Sequence, residues 1–346
     1  MSESLTLEKA LEHRAANDKD AEDFFHRYSN MRKYLSEEYY PWIQARCPYF
    51  TDHGENHINS VIQAASMLLA DHLKPGDETL SSLDIFLILC GILWHDVGNV
   101  LGRTGHAEQV VKISEEVKRL GFPSPDIHRQ VVAISKAHAG KSGLDIPKSK
   151  DYVTTFIRTY DLRPRALAAI VRFADEISEN HTRISKALLE GSEIPIENRI
   201  YWEFANCVSA SVPQPSRERV ILKIEIQDTT ATRRFPCADY PDRTDKPEGI
   251  TVIEYVLCRL EKMNNERAYC APEFRGYVTI REIEARLTIL HGTEPLTDYD
   301  DTFVLLGDAG VRKGDESGYP SIPVYEEFFN NHPNWRPDKL EETLSQ

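Results

Sequence analysis

Several things are missing from this sequence. No run of eighteen uncharged apolar residues exists, and the greasiest segment, around residues 83–94, is too short to span a bilayer. Residues 1–14 (MSESLTLEKALEHR) are acidic and amphipathic and lack a signal-peptide core. The six cysteines, Cys47, Cys90, Cys207, Cys237, Cys258 and Cys270, form no CxxC pair and no dense framework, which fits free thiols in a reducing compartment. These absences predict a cytoplasmic protein with no membrane partner. Positive charge is also scarce: 41 Lys and Arg face 55 Asp and Glu, a net charge of −14. A polyanion binder needs clustered cations to neutralise phosphates, so long nucleic acid is a poorer partner here than a small ligand. There is no internal repeat and no low-complexity tract.

What is present reads mainly as helix. The chain has 346 residues, enough for two domains or one large domain with an appendage. Helical periods occupy most of residues 1–45, then 56–74, 80–95, 106–120, 126–138 and 164–180. Pro164 suits the first turn of the last of these. Up to about residue 195 the sequence reads as all-α. The period then changes: VILKIEIQ (220–227) and IEARLTIL (283–290) alternate as strands do, and 199–208 is a candidate third strand. Ile250, Ile253, Val256, Leu260 and Met263 share one helix face. Residues 228–248 read as a long loop. The expected layout is an all-α domain over 1–195, a smaller α+β appendage over 196–292, and a turn-rich acidic tail over 293–346. The tail ends in aromatics that suit packing on the body, a protein partner or a second copy of the chain.

Seven of the twelve histidines lie between His53 and His138. Several sit on apolar helix faces. His57 falls in line with Val61, Ala64 and Leu68; His106 with Val110, Ile113, Val117 and Leu120; His138 with Ile127, Val131 and Ile134. Asp175 follows Ala168 and Val171 on one face, and His95 and Asp96 end the apolar run from Ile85 to Trp94. A single inward histidine is usually a satisfied core residue. A buried carboxylate beside Leu93 and Trp94 costs several kcal/mol without a strong partner. Five helices that each turn a ligand-type side chain inward point to a metal of the Zn, Mn or Fe kind.

The stretches TDHGENHINSVIQAA, LWHDVGN, GHAEQVVKIS, VVAISKAHAG and VRFADEIS, in that order, resemble the HD superfamily of metal-dependent phosphohydrolases. The likeness covers about residues 50–180. It implies a helical HD-type hydrolase domain, and its five motifs look like the binuclear branch, which includes HD-type diadenosine tetraphosphate hydrolases and HD-GYP phosphodiesterases. By that likeness two divalent transition-metal ions (Mn, Fe, Co, Ni or Zn) are the cofactors. His57, His95, Asp96 and Asp175 would hold the first ion and His106 and His138 the second, with Asp96 bridging. The implied reaction is hydrolysis of a phosphoester or phosphoanhydride in a small nucleotide by a metal-bridged hydroxide. The TDHG and HDVGN pattern is also similar to bacterial stress or defence components.

Departures from the superfamily narrow the reading. Asn99 follows HDVG where many HD-GYP enzymes have Lys and dNTP triphosphohydrolases have His; Asn can hydrogen-bond but brings no charge. No GYP motif follows His138. Asn99, His53 and Arg183 are the candidates for catalytic or substrate contacts beside Asp96, with Arg172 a second phosphate-binding candidate. Asp52 is a possible helix cap, His128 a surface or supporting residue, Asp126 and Glu176 solvated acids, and Lys136 and Lys141 possible guides for an anion. Two rival readings remain: an HD-type single-strand nuclease, and a nucleotide-sensing module without turnover.

Overall fold

The computed structural model describes residues 5–116, 121–138, 145–153, 156–191, 193–237, 249–274, 276–306 and 324–344. The chain is mainly helical, with a small mixed sheet in its C-terminal part. Helices α1 (Leu7–Ala15), α2 (Lys19–Glu38) and α3 (Tyr40–Arg46) lead into α4 (Glu55–Leu68), α5 (Ser82–Trp94), α6 (His106–Glu116) and α7 (Pro125–Lys136). A two-residue hairpin, β1 (Phe156–Ile157) with β2 (Tyr160–Asp161), interrupts the expected all-α run before α8 (Pro164–Glu176) and α9 (Lys186–Glu190).

Helix α5 is the axis of this half. A capping box starts it: the Ser81 hydroxyl accepts from the Asp84 amide, and the Asp84 carboxylate accepts from the Ser81 amide. Every residue from Ser82 to Trp94 is buried. Each Leu, Ile or Phe placed there contributes roughly 1.5–3 kcal/mol through lost apolar surface. Together with the turn after it, the segment Ser82–Leu101 is long and apolar enough to cross a membrane by composition, yet 94% of it is buried within the protein, so core packing accounts for its character. Helix α7 approaches α5 closely at Gly91, where a Cβ would lie 2.5 Å from Ile134 Cγ2.

The C-terminal part begins with α10 (Ile196–Cys207), then β3 (Val208–Gln214), β4 (Arg219–Gln227), α11 (Asp228–Ala231), β5 (Arg234–Phe235), β6 (Ile250–Thr251), α12 (Val252–Cys270), β7 (Glu282–His291) and β8 (Glu294–Leu306). It ends with α13 (Val324–Asn331) and α14 (Pro337–Leu344). The sheet order is β3-β4-β7-β8. Strands β4 and β7 pair in parallel, joined by a crossover that contains α12, while the two outer pairings are antiparallel. Helix α12 packs against α8, α10 and α13.

The strands expected at 220–227 and 283–290 and the helix face from Ile250 to Met263 are present. Two expectations are corrected. Residues 199–207 are helix, because Ile200, Phe204 and Cys207 fall on one buried helical face; the strand begins at Val208. The tail expected to be turn-rich opens with a thirteen-residue strand, β8, whose Tyr299, Phe303 and Leu305 are buried. Its acidic residues disguised that alternation. Of the long loop expected at 228–248, α11 and β5 are ordered elements, and 238–248 lies outside the described residues.

Candidate metal centre

All six expected ligands sit at or near helix ends. His57 is in the first turn of α4, and His95 and Asp96 follow the last residue of α5. His106 starts α6, and His138 follows α7. Asp175 is in the last turn of α8. Val117 and Leu120, expected on the His106 stripe, lie outside the described residues.

The donor atoms form two groups that share Asp96. In the first, His57 Nε2 lies 3.1 Å from His95 Nε2, 3.2 Å from Asp175 Oδ1 and 3.6 Å from Asp96 Oδ2. His95 Nε2 lies 3.3 Å from the same Asp96 oxygen. In the second, His106 Nε2 and His138 Nε2 are 2.9 Å apart and lie 3.5 and 3.6 Å from Asp96 Oδ1. Asp96 therefore turns one carboxylate oxygen to each group.

The tautomers follow from the outer contacts. The Nδ1 atoms of His95, His106 and His138 meet the carbonyls of Ile92 (2.7 Å), Arg103 (3.1 Å) and Ser135 (2.6 Å). A carbonyl only accepts, so each Nδ1 carries the proton and each Nε2 presents a lone pair inward. Two such lone pairs about 3 Å apart repel unless positive charge lies between them. Ligands held about 2.1 Å from an ion lie roughly 3.0–3.4 Å from one another, close to the spacing found here. The buried His and Asp groups can therefore hold metal ions.

The electrostatics of the metal-free chain agree. Burial works against a charged His95, but the Asp96 and Asp175 carboxylates outweigh it and lift the imidazole to about 9. A proton then does what a metal would do. Burial pushes His106 down to about 4 despite Asp96, and it lowers His57 and, further, His53. Burial alone would raise Asp96, yet the His95 charge, together with the nearby His138 and His95 rings, holds it well below the usual carboxylate range. Asp175 is held low against its burial by His57 and His95.

The supporting residues divide. Asn99 is buried and donates from Nδ2 to Asp96 Oδ1 at 2.8 Å, so it fixes the shared carboxylate. A cation lies near that position: Arg103 Nη1 is 3.8 Å from Asp96 Oδ1 and 3.3 Å from Asn99 Oδ1. His53 precedes α4 rather than joining it. It donates Nδ1–H to the Thr51 carbonyl at 2.5 Å, with its ring 5.8 Å from that of His57. Asp52 makes no helix cap: its Oδ1 accepts from the Gly54 amide at 2.8 Å, within the turn before α4.

A cavity of about 520 Å³ opens beside the centre, lined by His53, His57, Asp96, His138 and Asp175. Arg183 lines it too, tied to the Asp52 carbonyl at 3.0 Å and to Glu179 Oε2 at 3.0 Å. Glu176, expected in solvent, is buried at the cavity wall, with Arg259 at 3.1 Å and Lys262 at 2.7 Å. Arg172 is no phosphate ligand, since Glu266 and the Ala137 carbonyl occupy its guanidinium. Asp126 is exposed beside Arg129, as expected. His128 is buried instead, its ring 4.5 Å from Phe122. Lys136 pairs with Glu108 at 2.8 Å, and Lys141 lies outside the described residues.

The far wall was not foreseen. Helix α10 supplies Glu197, Tyr201 and Phe204 at steps of four and three, and α12 supplies Tyr255, Arg259 and Lys262 at the same steps. Each set is one helix face.

A helical body whose His and Asp side chains can hold metal at a cavity defines an HD-type metal-site domain. Comparison with family models agrees: the HD-CE model matches residues 47–247, more than half the chain, which therefore belongs to the HD-CE family. No curated protein and no solved structure matches the chain. The matched span reaches past the HD helices to include α10, β3 and β4.

Proposed function

We propose that the protein is a metal-dependent phosphohydrolase that cleaves a phosphoester or phosphoanhydride in a small nucleotide. The observation behind this reading is Asp96, whose two oxygens face two separate histidine pairs at the edge of one cavity. His57, His95, Asp96 and Asp175 would hold one divalent transition-metal ion, and Asp96, His106 and His138 a second. Such a pair supplies an activated water and offsets charge on the phosphoryl oxygens.

The chain's own groups do the rest. Asn99 holds the Asp96 carboxylate in the orientation both halves need. The Ile92, Arg103 and Ser135 carbonyls lock three imidazoles with Nε2 inward. Arg103 and Arg183 bring guanidinium groups to the cavity, where they orient an anionic phosphate. His53, with its Nδ1 proton committed to Thr51, presents Nε2 as an acceptor. The cavity volume suits a ligand of nucleotide size, and the acidic chain disfavours a long polyanion.

The test is a hydrolysis screen on purified protein, stripped and then reloaded with Mn, Fe, Co, Ni, Zn or Mg. It covers mono-, di- and cyclic nucleotides together with single-stranded DNA and RNA. Metal-restored turnover of a small nucleotide, with little cleavage of the polymers, is the expected outcome. Robust polymer cleavage beside inert small nucleotides would establish the nuclease reading, and tight nucleotide binding with no turnover under any metal the sensing reading.

A further inference from the structure

Arg103 touches two of the side chains in the His106 half of the centre, and its backbone and side chain act in opposite senses. The Arg103 carbonyl accepts from His106 Nδ1 at 3.1 Å and so keeps the Nε2 lone pair turned inward. The guanidinium brings Nη1 to 3.8 Å from Asp96 Oδ1, the carboxylate oxygen that also faces His106 and His138. An ion held about 2.1 Å from that oxygen would lie within about 6 Å of the guanidinium nitrogen. Two cations at that range repel, and the burial of Asp96 and His106 leaves little water to screen them.

Arg183 is the contrasting case. It lines the same cavity, but it is buried and its guanidinium is fixed by the Asp52 carbonyl and by a carboxylate of its own, Glu179. Among the described residues, the carboxylate within ion-pair range of Arg103 is Asp96. The Arg103 side chain is 49% exposed, so it can leave Asp96 with little loss of packing. Its guanidinium carbon already stands 6.0 Å from the Phe50 ring centre, and both side chains line the cavity. The backbone on either side turns at Gly102 (φ 117°) and Gly105 (φ 69°), conformations that glycine adopts without strain.

We propose that Arg103 is an exchangeable counter-ion, which competes with a metal ion for Asp96 in the His106 half of the centre. In the metal-free chain the guanidinium balances charge at Asp96 Oδ1. When an ion takes that place, Arg103 turns away from the carboxylate into the cavity, where it meets an anionic phosphate. Loading of the His106 half and release of a phosphate-binding arginine are then one event. The two halves therefore bind metal with unequal affinity, the His57 half more tightly. This inference rests on the two-ion centre of the reading above, and not on turnover or on which nucleotide is the ligand.

The experiment is calorimetric titration of the metal-stripped full chain with Co2+, with no nucleotide present. The sign of the effect is diagnostic, because losing a supporting side chain would loosen metal binding and losing a competing cation tightens it. Arg103→Ala and Arg103→Gln keep the carbonyl that holds His106. Each should tighten the weaker of two binding steps by about fivefold or more, and should move the tighter step by less than about twofold. In His106→Ala, which lacks the second half, adding Arg103→Ala should change the remaining affinity by less than about twofold. A weaker step that is unchanged or loosened in either Arg103 variant overturns the proposal, and so does equal tightening of both steps. The reading beneath it fails separately: if the wild type and both Arg103 variants all take up one ion or none, the two-ion centre itself is wrong. Two ions with a weaker step indifferent to Arg103 keep the centre and remove the exchange.

Discussion

Arg172 and Glu266 form a two-bond ion pair in the protein interior, Nε to Oε2 at 2.6 Å and Nη2 to Oε1 at 2.8 Å. The pair ties α8, which carries Asp175, to α12, which supplies part of the far cavity wall. Arg172 Nη1 also donates to the Ala137 carbonyl at 3.2 Å, one residue before His138. One guanidinium thus holds the ends of two ligand-bearing helices against the C-terminal part. Arg172→Met should destabilise the fold by about 3–5 kcal/mol, because it strands the Glu266 charge in the core. Arg172→Met combined with Glu266→Met should recover a substantial part of that loss. Urea unfolding of the three proteins measures both effects, and an additive double variant would contradict the coupling.

Gly98 makes the turn after Asp96 possible. A Cβ there would lie 1.9 Å from the His106 carbonyl oxygen and 2.7 Å from its carbon, so backbone must move. Gly98→Ala should push the start of α6 away from Asp96 and weaken metal binding by the His106 group before the His57 group. Metal analysis after dialysis against a weak chelator reads this directly. Wild-type retention in Gly98→Ala would show that the turn yields without cost.

The metal-free protein should be most stable near pH about 6.5, the ordinary histidine value. His106, lowered to about 4, stays neutral when folded, while the unfolded chain takes up a proton as pH falls through its ordinary value. Stability therefore drops from about pH 6.5 toward 4, reinforced by the lowered His53 and His57. His95, raised to about 9, has the opposite sign. Its contribution is complete below its ordinary value and fades as pH rises toward 9. Thermal melts in EDTA at pH 5, 6.5 and 9 should peak at the middle value, and a flat series would contradict the assigned shifts.

The His/Asp cluster was legible because its members share helix faces with Val61, Val110, Ile134 and Val171, and helical periodicity is a local signal. The same rule displays Glu197–Tyr201–Phe204 and Tyr255–Arg259–Lys262 in the sequence, but nothing local says that these faces meet the cavity. That depends on α12 packing against α8, and on Arg259 and Lys262 burying Glu176 across more than eighty residues of chain. Strand β8 escaped notice because DYDD reads as a turn until β7 pairs with it. The stretch YWEFANC carries both periods, and tertiary burial of Ile200, Phe204 and Cys207 selected the helix.

Metal stoichiometry tests the central claim most directly. Purified without chelator, the wild-type chain should carry close to two transition-metal ions. His106→Ala should keep the ion of the His57 group and lose most of the other, and Asp96→Ala should lose both. Circular dichroism confirms that each variant is folded. Full occupancy in a folded Asp96→Ala, or a wild-type chain that binds no transition metal at all, would contradict the shared-carboxylate centre and the phosphohydrolase reading built on it.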